Sequence, residues 1–163
     1  MTRTDYIKWE EFFMGIAELA SKRSKDPMVR HGACIIDPTR NIILGVGYNG
    51  LPNGYKDDDF DWDNRETKGQ FIVHAEENAI FNSTYIDRLK GSVIYLFSEK
   101  GYLPCNKCAQ SIIQVGIKEV IIRNFIGRNT DHYNWEPTKI MFKAAGVNIY
   151  ILNSDNTKTL LTL

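Results

Sequence analysis

The sequence is short of cysteine, has no surplus of either charge and contains no long apolar run. Its 163 residues include only 3 Cys. That number is odd, and two of the three lie three positions apart, so a disulfide framework is a poor fit; metal or catalytic use in a reducing cytoplasm is the expectation. Lys and Arg number 20 against 20 Asp and Glu. A chain of zero net charge has no cationic excess for a run of phosphates, which argues against a DNA- or RNA-coating role. Apolar stretches such as 93–97 and 120–122 fall far short of the roughly 20 residues that span a bilayer. The first ten residues carry Arg3, Asp5, Lys8 and Glu10 without an apolar core and do not resemble a secretory signal. Asn82-Ser83-Thr84 matches a glycosylation sequon, which without an export signal reads as coincidence. There is no internal repeat and no low-complexity tract. What remains is 43% hydrophobic residues, enough for one ordinary core, and 1–163 is expected to form a single domain.

Periodicity orders that material. Trp9, Phe12, Phe13, Ile16, Ala17, Leu19 and Ala20 recur at helical spacing, which predicts a half-buried helix over 6–22. Asp26-Pro27 ends it, and 32–36 and 41–48 read as an antiparallel hairpin turning at 37–40. The stretch 49–70, with Gly50, Pro52, Gly54, Gly69 and the acidic run Asp57, Asp58, Asp59, Asp61 and Asp63, reads as a long surface loop. Helices over 75–87, 105–115 and 137–145 then alternate with strands over 92–97, 118–123 and 147–152. Strands separated by single helices predict parallel pairing with right-handed crossovers. Residues 153–163 show no period.

Two motifs carry chemistry, His74-Ala75-Glu76 and Pro104-Cys105-Asn106-Lys107-Cys108, each opening a predicted helix. Cysteines three apart on a helix have Cβ atoms roughly 5–6 Å apart, close enough for both sulfurs to reach one Zn²⁺. Residues two apart diverge on a helix, so His74 and Glu76 share a site only if His74 occupies the non-helical cap. His74, Cys105 and Cys108 make three ligands without an obvious fourth, the arrangement of a catalytic rather than a structural zinc. Zinc lowers the pKa of a bound water from about 15.7 to about 7. Glu76 is then the candidate to take the water's proton and deliver protons to a substrate ring and leaving group, which is hydrolytic deamination of an amidine-like carbon.

H-x-E with P-C-x-x-C is the signature of zinc nucleobase deaminases. The segments Lys25-Asp26-Pro27, Gly32-Ala33-Cys34-Ile35-Ile36, Gly47-Tyr48-Asn49-Gly50-Leu51-Pro52-Asn53-Gly54, His74-Ala75-Glu76-Glu77-Asn78-Ala79-Ile80 and Cys105-Asn106-Lys107-Cys108-Ala109 resemble, in the same order, those of the deoxycytidylate (dCMP) deaminases. The likeness covers nearly the whole chain. It implies a cytidine-deaminase-like three-layer α/β/α sandwich with a mixed sheet of about five strands, and conversion of dCMP to dUMP and ammonia in deoxynucleotide metabolism. It further implies that Asn49 touches the nucleotide sugar and that the Ala75 N–H meets the pyrimidine carbonyl. Family members are commonly hexamers activated by dCTP with Mg²⁺ and inhibited by dTTP. The effector site is expected at the glycine-rich loop, here Gly47, Tyr48, Asn49, Gly50 and Gly54.

The chain departs from that pattern in three places. The approach to Pro104, 98–103, is longer by about four residues, which changes the active-site rim. Residues 124–133, including Arg128 and His132, replace a stretch that frames the 5′-phosphate end in the family. His31 stands where an apolar residue is usual. Plainer readings accompany several positions: Cys34 as a core side chain, the Asp57–Asp63 cluster as a solvated face rather than a Mg²⁺ site, the glycines of the 47–54 loop as backbone devices, Asn49 as a turn residue, and Trp9, Phe12 and Phe13 as helix packing or a subunit contact. Rival functions are deamination of another cytosine nucleotide, such as dCTP or a modified dCMP, and a non-catalytic nucleotide sensor.

Overall fold

A computed structural model describes residues 1–123, 125 and 134–163. Five helices, α1 (Trp9–Ser21), α2 (Arg65–Phe71), α3 (Ala75–Phe81), α4 (Asn106–Gln114) and α5 (Glu136–Ala145), surround a six-stranded sheet. The strands are β1 (His31–Asp37), β2 (Ile42–Tyr48), β3 (Val93–Ser98), β4 (Glu119–Arg123), β5 (Asn148–Leu152) and β6 (Lys158–Leu160), in the order β2-β1-β3-β4-β5-β6. β1 pairs antiparallel with β2 and β3, β3-β4-β5 are parallel, and β6 returns antiparallel on β5.

Strand alternation sorts the core into two layers, because successive side chains point to opposite faces. Ala33, Ile35, Ile94, Leu96, Val120 and Ile122 face α3, α4 and α5 with Ala79, Ile112 and Phe142. Cys34, Ile36, Tyr95 and Ile121 face α1 with Phe13, Met14 and Ala17. The result is the expected α/β/α sandwich. Full burial of a side chain such as Phe13 contributes about 1.5–3 kcal/mol, and Phe13 also rests against Tyr95 at 5.5 Å between ring centres. Trp9 stacks on Phe13 at 5.4 Å yet stays 53% exposed, so the aromatic run serves the core through only one of its rings.

Three expectations need correction. The sheet has six strands, not five; β6 is short and wholly exposed, so no hydrophobic alternation marks it. The stretch 49–70 is not a bare loop, since α2 lies within and just beyond it. Asn64 caps that helix by accepting from the Thr67 N–H at 3.1 Å, and Tyr55, Phe60, Trp62 and Phe71 form a ring cluster with centroids 5.1–5.9 Å apart. The helix expected over 75–87 stops at Phe81, where the Asn82 side chain donates to the Val46 carbonyl instead, and a separate 3₁₀ turn follows at Ile86–Leu89.

Candidate functional site

Backbone pairing delivers His74 to its place. As β2 ends, Gly50 and Val73 form an isolated antiparallel bridge, with N–H···O distances of 3.1 and 2.9 Å, and the next residue, His74, is the extended N-cap of α3. Gly47 lets α3 lie on β2: a Cβ there would stand 2.3 Å from Ala79 N and 2.5 Å from Ala75 O. The Asn78 amide donates to Tyr48 O at 2.8 Å and pins the same contact. Cys105 is the N-cap of α4, and the buried Thr138 hydroxyl of α5 donates to Pro104 O at 3.0 Å, fixing the entry to that helix.

The two helix starts therefore converge. His74 Nδ1 lies 3.4 Å from Cys105 Sγ and 3.3 Å from Cys108 Sγ, and the three ligand atoms lie within 4.8 Å of one another. A tetrahedral zinc with ordinary Zn–N and Zn–S bonds has N···S edges of about 3.6 Å, so the donor set fits that ion in chemistry and in spacing. Among the described residues this is the only group of three or more potential ligands gathered so closely.

Hydrogen bonds from Cys108 and His74 bring the Cys105 thiol down to about 4. The hydrogen bond to Cys105 lifts His74 to about 9 against the opposing cost of burial. Cys108 is pushed far up, first by its hydrogen bond to Cys105 and then by burial. A divalent cation at this group competes with protons for the same nitrogen and sulfur atoms, so its retention weakens as pH falls.

Glu76 sits beside this group at the second position of α3, 9% exposed. Burial raises its pKa, and the neighbouring His74 charge opposes the shift. A carboxyl group moved towards neutrality is suited to carrying a proton. Ala75, buried and first in α3, has an N–H that no helical carbonyl can accept.

A cavity of about 620 Å³ opens over these residues and is lined by His74, Ala75, Glu76 and Cys105 together with Asn49, His31, Lys68, Lys100 and Tyr102. Asn49 is buried and largely committed to the chain: its Oδ1 accepts from the His31 N–H at 2.8 Å and its Nδ2 donates to Val29 O at 2.9 Å. His31 forms part of the wall with its ring 5.9 Å from Tyr102. Burial, with the His74 charge second, brings its pKa down to about 4. Lys68 of α2 reaches over to the buried Asp26 at 2.6 Å.

Tyr48, Gly50 and Gly54 line a separate cavity of about 230 Å³ with Arg23, Lys25 and Asp57. Gly47 and Asn49 are not among its lining residues; Gly47 packs under α3 and Asn49 belongs to the larger cavity. Lys25 and Asp57 are ion-paired at 2.6 Å, while Asp58, Asp59, Asp61 and Asp63 are exposed. Cys34 is fully buried, as expected of a core residue. Arg128 and His132 lie outside the described residues.

Sequence reasoning missed the cavity wall built by Trp62, Asp63, Arg65, Glu66 and Lys68. The Asn64 cap four residues before Lys68 was the available signal.

The sequence model for the cytidine and deoxycytidylate deaminase zinc-binding region matches residues 7–124. The chain belongs to this family. It is 44% identical to mouse deoxycytidylate deaminase over 150 residues, covering 89% of this chain and 80% of that one. It is 37% identical to an uncharacterised deaminase of Aliivibrio fischeri, covering 93% and 98%. Among solved structures, the cyanophage S-TIM5 dCMP deaminase in complex with dCMP and dUMP superposes with a TM-score of 0.64 at 26% identity, covering 90% of this chain and 99% of that one. Cytidine deaminase from Burkholderia pseudomallei, at 14% identity and a TM-score of 0.51, shares the fold. The deaminase motifs thus sit on the deaminase fold, and no helix among the described residues is long and apolar enough to cross a membrane.

Proposed function

We propose that this deaminase converts dCMP and water to dUMP and ammonia, with 1–163 acting as one catalytic domain in the cytoplasm. The observation that carries the reading is the meeting of His74, Cys105 and Cys108 within 4.8 Å of one another, with the buried Glu76 beside them in the same cavity. His74 Nδ1 and the two sulfurs hold zinc. Bound there, the ion supplies a water acidified to react near neutral pH.

The protein's own groups do the rest. Glu76 accepts one proton of the attacking water and passes it to the pyrimidine ring nitrogen, then takes the second proton from the hydroxyl on the ring carbon as that becomes the carbonyl and hands it to the departing amino group, which leaves as ammonia. The Ala75 N–H, free of any helical partner, donates to the pyrimidine carbonyl. Asn49, at the end of β2 and on the cavity wall, meets the sugar through the acceptor capacity left on its Oδ1.

Regulation is the finer part of the proposal. The smaller cavity, with Arg23 and the Lys25–Asp57 ion pair beside Tyr48, Gly50 and Gly54, offers one cation unpaired among the described residues and close backbone to a triphosphate; dCTP with Mg²⁺ activates there and dTTP inhibits, with Gly47 and Asn49 supporting that loop from beneath. Exposed Trp9, Leu19 and Phe81 supply apolar area for assembly into a hexamer.

A panel of cytosine mono- and triphosphates with ammonia detection tests the reading, run on the zinc-loaded wild type and on Glu76→Ala at matched zinc content. Turnover of dCMP is expected, with a loss of about 10²–10⁴-fold in the variant. Turnover of dCTP without dCMP would move the assignment to another nucleotide, and full activity in the variant would remove Glu76 from its role.

A further inference from the structure

The large cavity presents three cations, Arg65, Lys68 and Lys100, and their surroundings separate them. Lys68 is committed to Asp26, with side-chain exposures of 16% and 2% for the pair. Arg65 stands on α2 between Asp63 and Glu66, which line the same cavity, so an anion approaching it meets two carboxylates as well. Lys100 has no carboxylate within 4 Å among the described residues, and the adjacent Glu99 is taken up by Arg30 at 2.5 Å.

Local structure fixes where Lys100 is offered. The chain leaving β3 turns on two hydrogen bonds, Lys100 N–H to Ser98 Oγ and Gly101 N–H to Ser98 O, both 3.2 Å. Gly101 adopts φ 59°, a left-handed conformation that glycine takes without a Cβ penalty. Tyr102 then folds back between His31 and Trp135, with ring centres 5.9 and 6.0 Å away. This is the stretch of chain, 98–103, whose length departs from the family pattern. Lys100 lines the same cavity as His31, His74 and Glu76, so its ammonium is offered to a molecule that also reaches the metal group. A cavity of about 620 Å³ falls within the usual range for a bound small molecule, roughly 300–1,000 Å³. It also holds Glu76, Asp63 and Glu66, and a phosphate dianion drawn out of water needs an unspent cation there.

We infer that Lys100 receives the 5′-phosphate of the nucleotide, making segment 98–103 the element that selects a nucleoside monophosphate. The inference rests on the nucleotide deaminase reading and deepens it. The ammonium binds the phosphate equally in substrate and product and takes no part in proton transfer, so its loss acts on binding rather than on chemistry.

The test compares wild type, Lys100→Met and Lys100→Arg, each with its zinc content and melting temperature measured. Lys100→Met is expected to raise KM for dCMP about 10- to 100-fold, the scale of one hydrogen bond to a charged group, with kcat within about threefold. Lys100→Arg is expected to recover most of the affinity. Calorimetric titration with dUMP should show the same loss in Lys100→Met and the same recovery in Lys100→Arg. A fall in kcat with unchanged KM, or a loss that arginine does not rescue, would overturn the inference in favour of a purely structural segment. If wild type does not deaminate dCMP, the proposed function fails by itself, and the dUMP titration still decides the role of Lys100: equal affinity in wild type and Lys100→Met refutes it.

Discussion

His31 is an imidazole set in the wall of the reaction cavity, and burial brings its pKa from 6.5 to about 4. The folded state therefore resists a proton that the unfolded chain accepts, and stability is lost as pH falls through the window from about 6.5 to about 4. Within that window the linkage amounts to at most about 1.4 kcal/mol per pH unit. Melting temperatures of wild type and His31→Asn, measured from pH 7.5 to 4.5, should diverge below pH 6.5, with wild type falling more steeply; parallel curves would mean that His31 titrates normally in the fold. Sequence reasoning read His31 as a buried or interfacial histidine at either the pocket wall or an effector contact, and could not choose between them because a single histidine carries no signal for which cavity it faces. The metal group was legible because zinc ligation constrains residue type and spacing together. Lys68 and Asp26 were not, since a pair 42 residues apart leaves no local pattern.

At the scale of elements, the site is a junction of two helix starts held on a sheet. His74 and Cys105 are both N-caps in extended conformation, which turns their side chains out of the helical spiral and towards one another. That position was readable from the His74-x-Glu76 spacing. The closeness of α3 to β2 was less so, because glycine in a strand can also mark a bulge or a loop. Gly47→Ala puts a Cβ 2.3 Å from Ala79 N, and the backbone must separate to admit it. Overpacking of this kind costs typically about 1–3 kcal/mol. Chemical denaturation of the variant should show that loss, together with weaker zinc retention because His74 rides on the displaced helix; wild-type stability and zinc content would contradict the packing account. Helix α2 escaped sequence reasoning because its seven residues, Arg65–Phe71, include a glycine and bury no side chain fully.

Across the whole molecule, β1, β3 and β4 carry unbroken apolar runs buried on both faces, which demands helices on each side of the sheet; the helix–strand succession predicted the parallel pairing, and the family resemblance implied the layering. The sixth strand was not foreseen, since its three residues are all exposed and carry no apolar pattern, and it is held by backbone pairing with β5 and by polar side-chain contacts. The account stands on one zinc carried by an imidazole and two thiolates with its remaining position open to water, since every proposed step by Glu76 needs that water. X-ray absorption at the zinc edge of the metal-loaded protein, in wild type and Glu76→Ala, tests this most directly. Two sulfurs at about 2.3 Å with one nitrogen and one further light atom at about 2.0–2.2 Å, unchanged when Glu76 is removed, are predicted. A third sulfur, or a light atom that disappears with the Glu76 carboxylate, would contradict it.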